Sequence, residues 1–358
     1  MNANTQISIE DLKEQITFQV NQAQDREIPL FEAQSVFRNA LKGNSGRNYD
    51  GLRARVLSEN TESLLLDLYS KLGNLLKSHT YFDDKFLTFY LNNGLTTTIN
   101  QRLATHFATI TTQLSNSYQP YQIIQLDTNV IMYQFGVIRE INVRQQLNIS
   151  DLSASIAAQY HNVYGVKRIP LLCFDFIIVD LNKNTIIKGI DLAQVLGKNE
   201  LNVALNNFNI YLRNLFNSVP IQQSLEFPLD LFPKIQSFYD EPKDKTNGVI
   251  DITFTTPAGT AHNETLRGKG IDLRVTTYHQ KGVEGVKNEK HNGVLLNNDI
   301  NPYKIGKRYY RNDRNIDIYL ESSYQAIHSQ NGSHLYQASV YSCRSYSDLN
   351  FAIQKIIT

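Results

Sequence analysis

Residues 171–190 of this 358-residue chain read LLCFDFIIVDLNKNTIIKGI, two apolar runs separated by a short polar segment at 182–184. Runs rich in β-branched and aromatic residues on either side of such a segment are typical of a β-hairpin. We therefore predict a pair of strands at 171–179 and 185–190, joined by a turn.

The regions on both sides of this hairpin have different patterns. Apolar residues recur every three or four positions through much of residues 1–117, which indicates a helical region. Residues 118–240 mix strand and helix patterns. A polar segment at 240–248, interpreted as a linker, leads into a strand-rich region at 249–358. The predicted fold class is therefore α+β, with a helical N-terminal region, a mixed central region and a strand-rich C-terminal region.

The composition limits the location and the class of the protein. Two cysteines in 358 residues form neither a disulfide framework nor a thiolate metal site. The N-terminal residues lack the charged and apolar parts of a signal peptide. The apolar run at 169–179 is too short for a transmembrane helix, and Asp175 interrupts it. We expect a cytoplasmic protein that does not contact a membrane.

A concentration of positive charge near the carboxyl end suggests a partner. Residues 261–314 hold 11 Lys/Arg and 6 Asp/Glu, a net charge of +5, while the whole chain carries +1. Within this block, residues 303–314 combine five cations and three tyrosines with one acid. Cations neutralise phosphates and tyrosine rings stack on bases, so we predict contact with a nucleic acid, DNA being favoured. The predicted contact residues are Lys304, Lys307, Arg308, Tyr309, Arg311 and Arg314.

Residues 191–208 contain a second nucleic-acid signal. Ala193, Gly197 and Val203 stand where a helix-turn-helix needs a small residue, a turn residue and an apolar anchor. The segment resembles the helix-turn-helix of bacterial and phage DNA-binding proteins. Its second helix would present Asn202 and Asn206, because asparagine can bond bidentately to adenine. The second helix of the motif contains no Lys or Arg, and Asn206 stands at a position that is usually apolar in this motif.

A short resemblance points to phage defence. Residues 89–98 read FYLNNGLTTT and resemble the Asn-Asn-Gly-Ile-Thr segment of abortive-infection (AIPR-type) phage-resistance proteins. The resemblance covers ten residues, and the Asn-Gly-x-Gln-Thr stretch that follows in that family is absent. What it implies is a role in phage defence.

The leading hypothesis is thus a nucleic-acid-binding protein of a prokaryotic, phage or mobile-element type, acting in phage defence or regulation. One alternative is a metal-dependent nuclease that uses Asp251 or Asp272 with Lys281, because acids on strands followed by a lysine occur in such sites. Mg²⁺ would be its cofactor. We expect no metal site or cofactor otherwise. The other alternative is a structural or homo-oligomeric protein such as a virion component, since its 20 tyrosines would suit interfaces.

Overall fold

The computed structural model describes the chain except residues 1–7, 44–45, 92, 111–113, 149, 151, 194–195, 257–259, 268–269, 292–293, 296–298, 312–313 and 328–331. Its helices are α1 (Ile9–Asp25), α2 (Leu30–Leu41), α3 (Tyr49–Ser58), α4 (Glu62–Tyr81), α5 (Thr96–His106), α6 (Ala154–Gln159), α7 (Lys198–Phe216), α8 (Val219–Ser224), α9 (Phe232–Asp240), α10 (Thr277–Lys287), α11 (Tyr324–Ile327) and α12 (Tyr346–Ile357). Its strands are β1 (Lys85–Tyr90), β2 (Gln119–Asp127), β3 (Val130–Gln146), β4 (Tyr164–Asp180), β5 (Thr185–Asp191), β6 (Asn247–Thr255), β7 (Ala261–Thr265), β8 (Lys290–His291), β9 (Val294–Leu295), β10 (Asn301–Tyr310), β11 (Asn315–Glu321) and β12 (Ala338–Tyr341). The predicted α+β class is confirmed.

The N-terminal helices α1 to α4 pack around an apolar cluster of their own. Helix α1 begins where the Ser8 hydroxyl accepts a hydrogen bond from the Asp11 amide at 3.1 Å, which satisfies one of the free amides of the first turn. Its buried residues Leu12, Ile16 and Val20 recur every four positions and therefore lie on one face. That face packs against α4 and α3.

Ten strands of the described residues form one antiparallel sheet, in the order β2-β3-β4-β5-β1-β12-β11-β10-β6-β7. The predicted hairpin at 171–190 is confirmed as β4 and β5. Strand β1 lies inside the region predicted to be helical, yet it occupies the middle of the sheet between β5 and β12. The sheet therefore contains strands from all three regions of the sequence.

The sheet is covered on both faces. Along β4, Phe176 and Ile178 face one apolar cluster, while Ile177 and Val179 face the other. This alternation explains why the strand reads as a continuous apolar run. Helices α5, α7 and α8 cover the Ile177 face, and α9 and α12 cover the Phe176 face. Among the helices described, none is long and apolar enough to cross a lipid bilayer.

One segment of the strand-rich region is helical. Residues 271–279 have a strand-like sequence, but Asp272 caps a 3-10 turn at 273–275 and Thr276 then caps α10. The side-chain oxygens of Asp272 and Thr276 accept hydrogen bonds from the backbone amides of Arg274 and His279, respectively. These caps favour a helix start over the strand propensity of the neighbouring residues.

Candidate ligand-binding site at Lys188

The basic run at 303–314 is largely built into the sheet. Strand β10 pairs with β6 on one side and β11 on the other. Lys307 is fully buried, and its Nζ lies 3.1 Å from Glu241 Oε2 and 2.9 Å from the carbonyl oxygen of Phe238. This is a correction to the predicted contact residues, because the Lys307 ammonium is enclosed and cannot reach a phosphate.

The neighbouring side chains of the run are also engaged within the protein. Arg308 makes a bidentate pair with Asp317, with distances of 2.7 and 2.6 Å. Tyr309 is buried, so its ring cannot stack on a base, and its hydroxyl donates to Glu241 at 3.0 Å. Arg311 lies 3.8 Å from Asp348.

Four of the predicted cations reach the surface: Arg311 is exposed, and Lys304, Arg308 and Arg314 are partly exposed. The run is therefore not a continuous cationic surface.

The predicted helix-turn-helix at 191–208 is not formed. Asp191 is the last residue of β5, and Ala193 has a φ of 50°, in the left-handed region, so neither belongs to a first helix. A single helix, α7, begins at Lys198 and carries both Asn202 and Asn206 on its exposed side. Residues 194–195 lie outside the described part of the chain.

Each acid proposed for a nuclease accepts hydrogen bonds from other side chains of the protein. Both carboxylate oxygens of Asp272 accept from Arg274, at 2.7 to 3.1 Å, and Asp251 accepts from the Thr265 hydroxyl at 2.6 Å. Lys281 is exposed on α10. No group of three or more His, Cys, Asp or Glu side chains within the described ranges is arranged to hold a metal ion.

Three lysines on sheet strands are buried, and one of them differs from the other two. Lys85 pairs with Asp191 at 2.9 Å, and Lys307 pairs with Glu241 at 3.1 Å. Lys188 is 7% exposed, and within the described residues it forms no ion pair. A buried charge without a counter-charge is costly, so this lysine is the unusual one of the three.

Two neighbouring strands and a helix position Lys188. On the sheet it lies directly opposite Thr88 of β1 on one side and Ile177 of β4 on the other. Its side chain is on the face that α7 covers. Its Nζ donates to Asn209 Oδ1 on α7 at 2.6 Å and lies 3.4 Å from the Tyr90 hydroxyl.

Lys188 faces a cavity of about 350 Å³ between the sheet and α7. Apolar and polar residues both line it. The apolar lining residues include Ile177, Ile186, Leu205, Leu212 and Phe216. The polar ones include Thr88, Tyr90, Lys188, Asn209, Arg213 and Glu226.

Two groups that line this cavity lack the partner that a buried group of their kind usually has. Burial lowers the pKa of Lys188 from 10.5 to about 8, because the ammonium loses its hydration without gaining a carboxylate. Thr88 is 2% exposed, and its Oγ1 has no hydrogen-bond partner in the described structure. Buried hydroxyls almost always have a partner. Burial also raises the pKa of Tyr90 to about 12, so its hydroxyl is a neutral donor.

The sequence signal for this site was a lysine inside an apolar strand, in the segment 185–191 that reads TIIKGID. Every residue of that strand is buried, so any charge on it needs a partner or a cavity. The same signal occurs at Lys85 and Lys307, which have carboxylate partners. Sequence alone did not distinguish the three.

Neither a described protein family nor a curated protein matches this chain. The resemblance of residues 89–98 to phage-resistance proteins therefore stays local.

Proposed function

We propose that the protein binds a small organic anion in the Lys188 cavity, with the Lys188 ammonium as the counter-charge. The observation that carries the proposal is the contrast among the three buried strand lysines. Lys85 and Lys307 have carboxylate partners of the chain itself, whereas Lys188 lines the cavity and has the neutral side chains of Asn209 and Tyr90 as partners. A ligand carboxylate or phosphate would occupy the place of the missing carboxylate.

The lining of the cavity indicates the chemistry of the ligand. A volume of about 350 Å³ is near the lower limit for small-molecule pockets, so the ligand is small. Its anionic group would accept hydrogen bonds from Lys188 and from the Thr88 hydroxyl. The apolar side chains of Leu212 and Phe216 would contact an aliphatic or aromatic body. Arg213 and Glu226 also line the cavity and carry opposite charges, so Lys188 supplies the net positive charge of the lining.

Thermal shift and calorimetry with matched probes test this proposal. The panel contains short aliphatic carboxylates, benzoate, phenyl phosphate and the neutral benzamide. The carboxylate and phosphate arms identify the anionic group, and benzamide tests whether charge is needed. Lys188→Met removes the charge and keeps the chain length. Lys183→Met is the matched control, since Lys183 is exposed in the β4–β5 turn.

At least one anion of the panel should raise the melting temperature of the wild type and of Lys183→Met. Lys188→Met should bind that anion at least tenfold more weakly, because an uncompensated buried ammonium contributes strongly to anion affinity. Benzamide should have no effect. If no anion distinguishes the wild type from Lys188→Met, the proposal is wrong.

Nucleic-acid binding by the run at 303–314 stays a prediction, with Lys304, Arg308, Arg311 and Arg314 as its surface residues. Phage defence, homo-oligomer formation and the nuclease alternative also stay predictions.

A further inference from the structure

The β3–β4 hairpin is longer than its neighbours in the sheet. The two strands pair continuously from Val130–Asp180 to Gln146–Tyr164. Strand β2 makes its last pairing with β3 at Gly136, and β5 makes its last pairing with β4 at Phe176. Beyond these points, no other described strand pairs with the hairpin. The five outermost residue pairs, 142–146 with 164–168, form a ribbon about 17 Å long at 3.3–3.4 Å a residue.

All six side chains on one face of this ribbon are exposed. Side chains alternate between the faces of a strand, so every second pair of residues shares a face. The exposed face consists of Asn142, Arg144, Gln146, Tyr164, Val166 and Arg168. None of these six residues is acidic. Glu140 stands at the base of the ribbon, 3.9 Å from Arg168.

The arginines of the exposed face are not neutralised by close ion pairs. Within the described residues, Arg168 forms one ion pair, the 3.9 Å contact with Glu140. Both side chains are well exposed, so this contact is weak. The Arg144 guanidinium lies 4.4 Å from the centre of the Tyr164 ring. This stacking orients the guanidinium, and both side chains line an open pocket beside α6. Lys167 belongs to the opposite face, where its charge acts on Asp25.

We propose that the exposed face of the β3–β4 ribbon enters the major groove of double-stranded DNA. The major groove of B-DNA, about 12 Å wide, accommodates a two-stranded ribbon. Arginine pairs with guanine, asparagine and glutamine pair with adenine, and an apolar side chain contacts the thymine methyl group. Arg144, Arg168, Asn142, Gln146 and Val166 are side chains of these types. This site is independent of the Lys188 cavity.

The test is the affinity for a fluorescein-labelled 24-base-pair duplex, measured by fluorescence anisotropy at 50 and 200 mM NaCl. The double variant Arg144→Ala/Arg168→Ala is compared with Lys77→Ala/Lys183→Ala, which removes two other exposed cations. Both variants change the net charge by the same amount. Circular dichroism should show native folding for both, since all four side chains are on the surface.

The wild type should bind with an affinity that falls as salt rises, because counterions are released from the DNA. The ribbon variant should bind at least tenfold more weakly, while the control variant stays within about threefold. Double-stranded RNA should bind more weakly than DNA, since side chains cannot enter its deep, narrow major groove.

Three results would overturn the proposal. The first is no binding of the wild type at 50 mM NaCl. The second is an equal loss of affinity in the two variants, which would mean that only net charge matters. The third is an unchanged DNA affinity in the ribbon variant together with the loss of an oligomer in sedimentation, which would make the ribbon a protein interface.

Discussion

Lys188 and Thr88 lie directly opposite each other on β5 and β1, on the sheet face that α7 covers. Lys188 has no carboxylate partner, and the Thr88 hydroxyl has no hydrogen-bond partner, within the described residues. Both groups line the same cavity. In the proposed function the pair is a donor site for an anion, and because two central strands rather than loops hold it, little reorganisation is needed for binding.

Lys188→Met should stabilise the protein at pH 7. The shift of its pKa from 10.5 to about 8 corresponds to about 3 kcal/mol, from which about 1 kcal/mol is subtracted for the hydrogen bond to Asn209. Urea unfolding of both proteins measures the difference. A destabilised variant would show that the lysine contributes to the fold rather than to a site.

The gain from Lys188→Met should depend on pH in a defined direction. Because the folded-state pKa is depressed, the folded protein loses its Lys188 proton near pH 8, while the unfolded chain keeps it to about 10.5. The wild type should therefore gain stability relative to the variant as pH rises from 8 to 10.5. Unfolding at pH 7 and pH 10 checks this, and a constant difference would contradict the assignment of the low pKa to Lys188.

Glu241→Gln should destabilise the protein by about 3 kcal/mol, because it leaves the buried Lys307 without its counter-charge. Glu241 also accepts from the Tyr309 hydroxyl and from Lys355. Asp317→Asn is the comparison. Because its partner Arg308 is one-third exposed, this variant should lose at most about 1 kcal/mol of unfolding free energy. Urea unfolding should rank the two variants in this order, and the reverse order would show that Lys307 is accessible to water.

Glu32→Gln should make the protein less sensitive to acid. Burial alone would raise the pKa of Glu32, but hydrogen bonds from His79 and Arg344 lower it from 4.5 to about 2. The stability from this carboxylate is thus complete above pH 4.5 and is lost as pH falls toward 2.

Removing the carboxylate should lower stability at pH 6 and reduce the slope of stability against pH between 4.5 and 2. Glu10→Gln is the control, because the Glu10 side chain is 82% exposed. An equal reduction of the slope in both variants would mean that Glu32 has no special role. Because Glu32 lies on α2 and Arg344 follows β12, this ion pair also joins the N-terminal helices to the sheet.

The sequence was sufficient where the pattern was local. The hairpin at 171–190 was predicted because two apolar runs flank a polar turn, and helix α1 because its apolar residues repeat every four positions. The burial of Lys307 could not be predicted, because Glu241 comes from a distant segment and only the folded sheet brings them together. From the sequence alone, the charges of a strand such as β10 therefore indicate an exposed surface.

The cavity could not be predicted from the sequence for the same reason. Its polar groups come from β1, β5 and α7, and the cross-strand register that sets Lys188 opposite Thr88 is a property of the assembled sheet. The residues of α7 were assigned to a helix-turn-helix because the spacing of Ala193, Gly197 and Val203 fits that motif. The left-handed backbone at Ala193 excludes it.

The most direct measurement is the pKa of Lys188 with and without an anion that binds. NMR titration of the lysine Cε resonances measures it, and Lys188→Met identifies the Lys188 resonance. We expect the Lys188 resonance to titrate near pH 8 in the free protein and at a distinctly higher pH once the anion is bound, because the ligand supplies the absent negative charge. A free-protein pKa close to 10.5, or a value that no anion of the panel changes, would contradict the account.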